Sequence, residues 1–275
     1  MTETSALRDP RALSNLVLIE IGNSHVTQAV SQPDRAVADV RRFALDALAE
    51  WPAAFHEAWD HLPAGRLRHV VIASVVPALT ARFHHDLEME DIDAIVIGDD
   101  LPAATDNQAD DPQSVGIDRL CGAAAAYDTI KAACAVASFG TATTIDCVDD
   151  EGRFRGGAIL PGLGLQAWSL AQRTARLPEV DIREPTSVYG GDTEHAILNG
   201  IVYGAVGALR EIVERYATEL GRWPQLVVTG GYATIIRHNC DFIDSVVPDL
   251  VLRGMAISYR AFYAEADEET DASGP

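Results

Sequence analysis

The sequence predicts an α/β protein made of two related α/β domains that face one another across a cleft. Three observations carry that reading. Apolar runs of strand length alternate with longer helical stretches. The order strand, Gly-polar turn, strand, strand, helix begins at Leu16 and again at Cys134. Three strands end in glycine turns, at Gly22-Asn23-Ser24, Gly140-Thr141 and Gly230-Gly231.

Taken in order, residues 16–21 read as a buried strand closed by Gly22-Asn23, and 25–30 and 37–43 complete a meander. Residues 45–59 have helical spacing, with Pro52 set against it. Strands are expected over 69–76 and 94–97, and a proline-bearing loop over 101–112. A helix over 118–133 leads into strands at 134–139, 143–148 and 154–159, helices at 163–175 and 194–219, and a strand at 225–228 before a third glycine turn and a helix. A last short strand at 249–252 and a helix to about 264 finish the pattern, after which 265–275 reads as an acidic flexible tail. The expected domains are therefore 15–117 and 118–264.

The chain has 275 residues, 48% of them hydrophobic, enough for one large domain or two ordinary ones. No run of eighteen apolar residues and no basic-then-apolar leader is present, so a cytoplasmic protein is expected. The four cysteines, Cys121, Cys134, Cys147 and Cys240, form no CxxC pair and read as buried reduced thiols. The formal net charge of -20 argues against nucleic acid or anionic membrane as partner. Lys131 is the single lysine. An acidic, lysine-poor composition fits a salt-rich cytoplasm, and equally a GC-rich genome.

Glycine turns at strand ends let backbone and hydroxyl donors approach a phosphate chain. Asn23, Ser24, Thr141, Thr143 and Thr144 are such donors, and Thr229-Gly230-Gly231 leaves room for a flat base. No GxxxxGK[ST] motif occurs, which excludes a P-loop. One such turn is usually a plain hairpin or strand-to-helix turn; three in this order in a duplicated chain are far more specific.

The ordered motifs resemble type III pantothenate kinases, members of the superfold shared by sugar kinases, actin and heat-shock ATPases. Glu20-Ile21-Gly22-Asn23-Ser24 is similar to the first phosphate motif, Gly116-Ile117-Asp118-Arg119 to the Gly-x-Asp-Arg motif, and 138–146 to the second phosphate motif. Gly156 to Gly162, Leu177-Pro178, Gly190 to Thr193, Thr229 to Gly231 and Pro248 to Gly254 follow the family order. The resemblance implies two duplicated ribonuclease H-like, actin-like domains around a nucleotide cleft. It also implies ATP-dependent phosphorylation of pantothenate to 4'-phosphopantothenate, the first step of coenzyme A biosynthesis, by a cytoplasmic homodimer.

By the same resemblance Asp118 is the general base. Gly116, Ile117, Arg119 and Thr193 meet pantothenate, and Glu20, Gly22, Asn23, Ser24, Gly140, Thr141, Thr229, Gly230 and Gly231 meet ATP. Glu20 would hold Mg2+. The pattern departs from the family at five places, two of them mild: Ser24 stands for a threonine and His25 for an asparagine. Glu20 replaces an aspartate. Ser138 stands where an aspartate helps bind activating K+ or NH4+, so that position loses its charge. The loop before Gly116 has no tyrosine. These departures raise two alternatives: a degenerate, non-catalytic relative that acts as a ligand-binding or regulatory protein, and a kinase for another hydroxylated acceptor.

Overall fold

The computed structural model describes residues 10–33 and 36–271, with side chains to 264. The chain folds as two compact units. One comprises the chain up to Asp106, Gln113–Ala125 and the chain from Asp249; the other comprises Asn107–Pro112 and Ala126–Pro248.

In the first unit, a 3-10 turn at Pro10–Leu13 precedes the meander β1 (Asn15–Ile21), β2 (His25–Ser31) and β3 (Ala38–Ala44). Then come α1 (Trp51–His61), β4 (Arg68–Ser74), α2 (Pro77–Glu88) and β5 (Ala94–Val96). The sheet order is β3-β2-β1-β4-β5, with β1 antiparallel to β2 and parallel to β4. As the central strand, β1 is apolar on both faces, and Glu20 alone in it is not fully buried. Val17, Ile19 and Ile21 join Trp51, Phe55, Phe83 and Leu87 in one core, where Trp51 and Phe83 have ring centroids 4.3 Å apart. The expected helix over 45–59 divides: 45–50 is a 3-10 stretch kinked at Ala47, and Pro52 sits in the first turn of α1, where its missing N–H costs nothing. The helix α2, which Pro77 opens in the same way, has no counterpart among the elements expected from the sequence.

The short pair β6 (Asp106–Asn107) sits at the edge of the second sheet, and α3 (Ile117–Ile130) begins in the first unit and ends in the second. Lys131 follows α3 with φ 52°, its N–H donating to the Tyr127 carbonyl (2.8 Å) and its Nζ to Asp128 (2.8 Å). The second unit repeats the first: β7 (Cys134–Phe139), β8 (Ala142–Val148) and β9 (Arg153–Pro161) form an antiparallel meander. They are followed by α4 (Leu163–Arg173), α5 (Thr193–Leu220), β10 (Gln225–Thr229), α6 (Ala233–His238) and β11 (Ser245–Val246). Its sheet order, β11-β10-β7-β8-β9-β6, contains the same core topology, with β10 parallel to β7.

Among the described residues one helix, α5, is long and apolar enough to cross a membrane. Its Leu198, Ile201, Val202, Leu209 and Val213 are instead buried in the core with Phe139, Ile145 and Leu226. Asp192 caps α5 by accepting from the His195 N–H (2.9 Å), and Gly221 ends it in the left-handed region.

Three expectations need correction. Of residues 249–252, Asp249 is a turn residue and 250–252 open α7 (Leu250–Asp271), where Leu252, Ala256 and Tyr259 recur at helical spacing and are buried; the last strand is β11 instead. The same helix runs through 265–271, the start of the expected tail, while 272–275 lie outside the described residues. The units also do not follow a single cut at 118. The helix α7 packs on β1 and β4, and Gly254 brings its backbone against the Cys121 carbonyl of α3, a contact with no room for a Cβ.

Candidate active site

In the first unit, β1 carries Glu20 to the end of the sheet, and the Gly22 N–H closes the following turn onto the His25 carbonyl (2.9 Å). Asn23 is exposed at the tip, and the Ser24 carbonyl accepts from Leu45 (3.3 Å). The Val75 N–H donates to the Ile21 carbonyl (3.1 Å), and its side chain lies over Gly116. This joins the turn to the start of α3, where the Asp118 carboxylate accepts from the Arg119 N–H (2.9 Å). Gly116, Ile117, Asp118 and Arg119 are all partly buried.

Two carboxylates therefore share this end of the sheet. Burial and the charge of Asp118 push Glu20 from its ordinary 4.5 up to about 7, opposed by Arg42 and a hydrogen bond from Thr27. Burial likewise raises Asp118, opposed by the N–H and charge of Arg119. A desolvated pair of like charges beside the Gly22 turn fits a divalent cation, which usually takes one or two carboxylates and completes its shell with phosphate oxygens and water. Among the described residues no cluster of three or more His, Cys, Asp or Glu side chains gathers to hold a metal, here or elsewhere, so protein carboxylates alone do not complete a shell.

The second unit brings together Gly140, Thr141, Gly162 and Gly230. The Gly140 N–H donates to the Ala142 carbonyl (3.1 Å) and the Gly162 N–H to the Thr141 carbonyl (3.1 Å). Gly230 has φ 96°, and a Cβ there would stand 2.5 Å from the Phe139 carbonyl oxygen. The Tyr232 N–H also donates to that oxygen (3.2 Å), so the third glycine turn is bound to the second. Gly231 is exposed beside it.

Register aligns Thr229, Ser138 and Thr144 in one row across β10, β7 and β8. That row offers neutral oxygens only, which does not fit a charged monovalent-cation position. Thr143 differs from the expectation of a phosphate donor. It shares the face of Ile145, is buried, and its hydroxyl has no hydrogen-bond partner. Thr193 is exposed as the first residue of α5, whose cap is Asp192, and Asn199 Nδ2 pins the preceding segment through the Ser187 (2.8 Å) and Val188 (3.1 Å) carbonyls.

The family model for type III pantothenate kinases matches residues 16–215. The chain belongs to the type III pantothenate kinase family. Type III pantothenate kinases from a strain of Dehalococcoides mccartyi and from Geobacter sulfurreducens are each 34% identical to it, over 89% of this chain and 97% and 98% of theirs. Among solved structures, a Baf family transcriptional activator from Campylobacter jejuni gives a TM-score of 0.58 at 18% identity, covering 92% of this chain and 99% of that one. A 2-dehydro-3-deoxygalactonokinase protein from Sinorhizobium meliloti gives 0.55 at 15%, covering 90% and 99%. At those identities the likeness is one of fold, the duplicated actin-like α/β architecture.

Type III pantothenate kinase motifs mark the strand-ending turns. Thr27 and Arg42 lie outside those motifs, inside strands, and join the row of Glu20 only through strand pairing. Residues 25–30, His-Val-Thr-Gln-Ala-Val, do not alternate cleanly between polar and apolar, so neither the facing of Thr27 nor its register is legible in them.

Proposed function

We propose that this protein phosphorylates pantothenate with ATP, the first step of coenzyme A biosynthesis. The observation that carries the reading is the Glu20 and Asp118 pair beside the Gly22 turn, in a chain of this family. Asp118 takes the proton of the primary hydroxyl, the hydroxyl oxygen forms the new bond to the γ-phosphorus, and the bond to the leaving ADP oxygen breaks. A carboxyl raised by burial is the better base for that proton. Arg119 holds the acceptor carboxylate or the transferring phosphoryl group, and Gly116 and Ile117 set the backbone beside it. Thr193 contacts pantothenate from the start of α5.

On the nucleotide side, Gly22, Asn23, Ser24, Gly140 and Thr141 present donors to the phosphates, and Thr229, Gly230 and Gly231 leave space for the adenine. Glu20 would hold Mg2+, which when bound neutralises phosphate charge that a protein of net charge -20 cannot. No step is assigned to K+ or NH4+, because Ser138 and its row neighbours supply no charge. The protein acts in the cytoplasm, in keeping with four free buried thiols. It acts as a homodimer, for which α5 offers an exposed strip of Gly200, Tyr203, Gly204 and Gly207.

A coupled ADP-release assay with pantothenate, ATP and Mg2+, run with and without K+, tests the reading. Turnover without K+ that vanishes in Asp118→Asn is expected. Nucleotide binding without turnover at any salt would replace the kinase with a binding protein.

A further inference from the structure

Arg41 and Arg42 are neighbours on the edge strand β3, and the pleat sends them to opposite faces. Arg41 turns to α1 and pairs with Glu57 (2.7 Å), on the face that carries Phe43 and the Trp51 core. Arg42 is in register with Thr27, and Thr27 with Glu20, so the three form one row from the sheet edge to its centre. Paired residues on neighbouring strands point the same way, and opposite charges across a sheet attract. Thr27, itself buried, hydrogen-bonds the Glu20 carboxyl, and the charge of Arg42 acts on the same group.

We infer that Thr27 and Arg42 are positioning residues for the nucleotide site, fixing the Glu20 carboxylate so that it meets a metal-bound phosphate chain. The inference rests on the nucleotide-site reading above. Three rotatable bonds precede the carboxylate of a glutamate, against two in an aspartate, so the longer side chain has more freedom to lose on binding. The row removes that freedom beforehand. The Thr27 hydroxyl sets one carboxylate oxygen, and Arg42 places a compensating charge on the solvent side. In an acidic protein, Arg42 is also a cation that register brings to this row, whereas its neighbour Arg41 is committed to Glu57.

Mn2+ serves as the probe, with free Mn2+ read by electron paramagnetic resonance as full-length protein is titrated in the presence of ADP. Arg42→Ala and Thr27→Val should each weaken Mn2+-ADP binding about five- to tenfold. The Mg2+ concentration that half-saturates turnover should rise by a similar factor, with a smaller change in kcat. Arg42→Lys should recover most of the loss, and Arg41→Ala should leave Mn2+-ADP binding as in the wild type. Arg42 is exposed, so its removal opens no core. Wild-type binding and wild-type metal demand in Arg42→Ala would overturn the inference while leaving the kinase reading in place. A wild type that binds Mn2+-ADP through the row but does not phosphorylate pantothenate would overturn the kinase reading and leave the row standing.

Discussion

Asp118 stands near enough to Glu20 for its negative charge to strengthen the hold of Glu20 on a proton. The folded value of about 7 exceeds the ordinary 4.5, so the native state binds more protons than the unfolded chain between those limits. The stability this contributes is present in full below the ordinary value and is lost as pH rises through about 7. The melting temperature of the ligand-free protein should therefore fall between about pH 6 and about pH 8 by more than that of Glu20→Gln. At the upper pH the variant should be more stable by about 1–3 kcal/mol. It should also lose Mg2+-dependent turnover. Scanning calorimetry across this range checks the first part, and an unchanged slope in Glu20→Gln would refute it.

Asp118→Asn keeps the shape of the side chain and removes the proton acceptor. Turnover should drop by about two to four orders of magnitude. ADP affinity, measured calorimetrically, should change little, since the variant removes a like charge from beside Glu20 rather than a contact from the phosphate turn. A variant that loses ADP binding and turnover together would show that Asp118 supports structure rather than proton transfer.

Gly230→Ala forces a side chain into the left-handed region and against the Phe139 backbone. The cost should be about 2–4 kcal/mol, read as a lowered denaturant midpoint. ADP binding should weaken more than the global loss of stability explains, because the third glycine turn is tied to the second through Phe139. Wild-type stability in Gly230→Ala would mean that the turn relaxes without strain.

All four cysteines are buried and free. Burial pushes the Cys134 thiol up to about 12 and Cys147 to about 11, and raises Cys121 and Cys240. A thiol-specific chromogenic disulfide reagent should find almost no fast-reacting thiol in the native protein and four after unfolding. One rapid equivalent in the native state would locate an exposed cysteine.

Much of the fold was legible because β1, β4 and β7 are apolar runs closed by turn residues. The helix α2 escaped notice because its buried residues are few, Phe83 and Leu87, and Pro77 reads as a stop when it is a first-turn residue. The run at 249–252 has the composition of a short strand, and only burial at Met255, Ala256 and Tyr259 shows a helix. The division into units rests on α7 returning to β1 and β4, a long-range contact that no local pattern reveals. At the candidate site, motif order points to the glycine turns and Asp118 as residues to test. Facing and register decide the rest: Thr143 turns into the core, and Arg42 shares a row with Thr27 and Glu20.

Lys131, at the end of α3, keeps 64% of its side-chain surface exposed and is the single lysine in 275 residues. Amine-directed chemistry thus has one side-chain target. A fluorophore, biotin or solid support coupled there attaches every molecule in one orientation, apart from coupling at the chain's own amino end. A preparation made this way should bind ADP uniformly, because the tether leaves from the far end of the helix whose first turn carries Asp118.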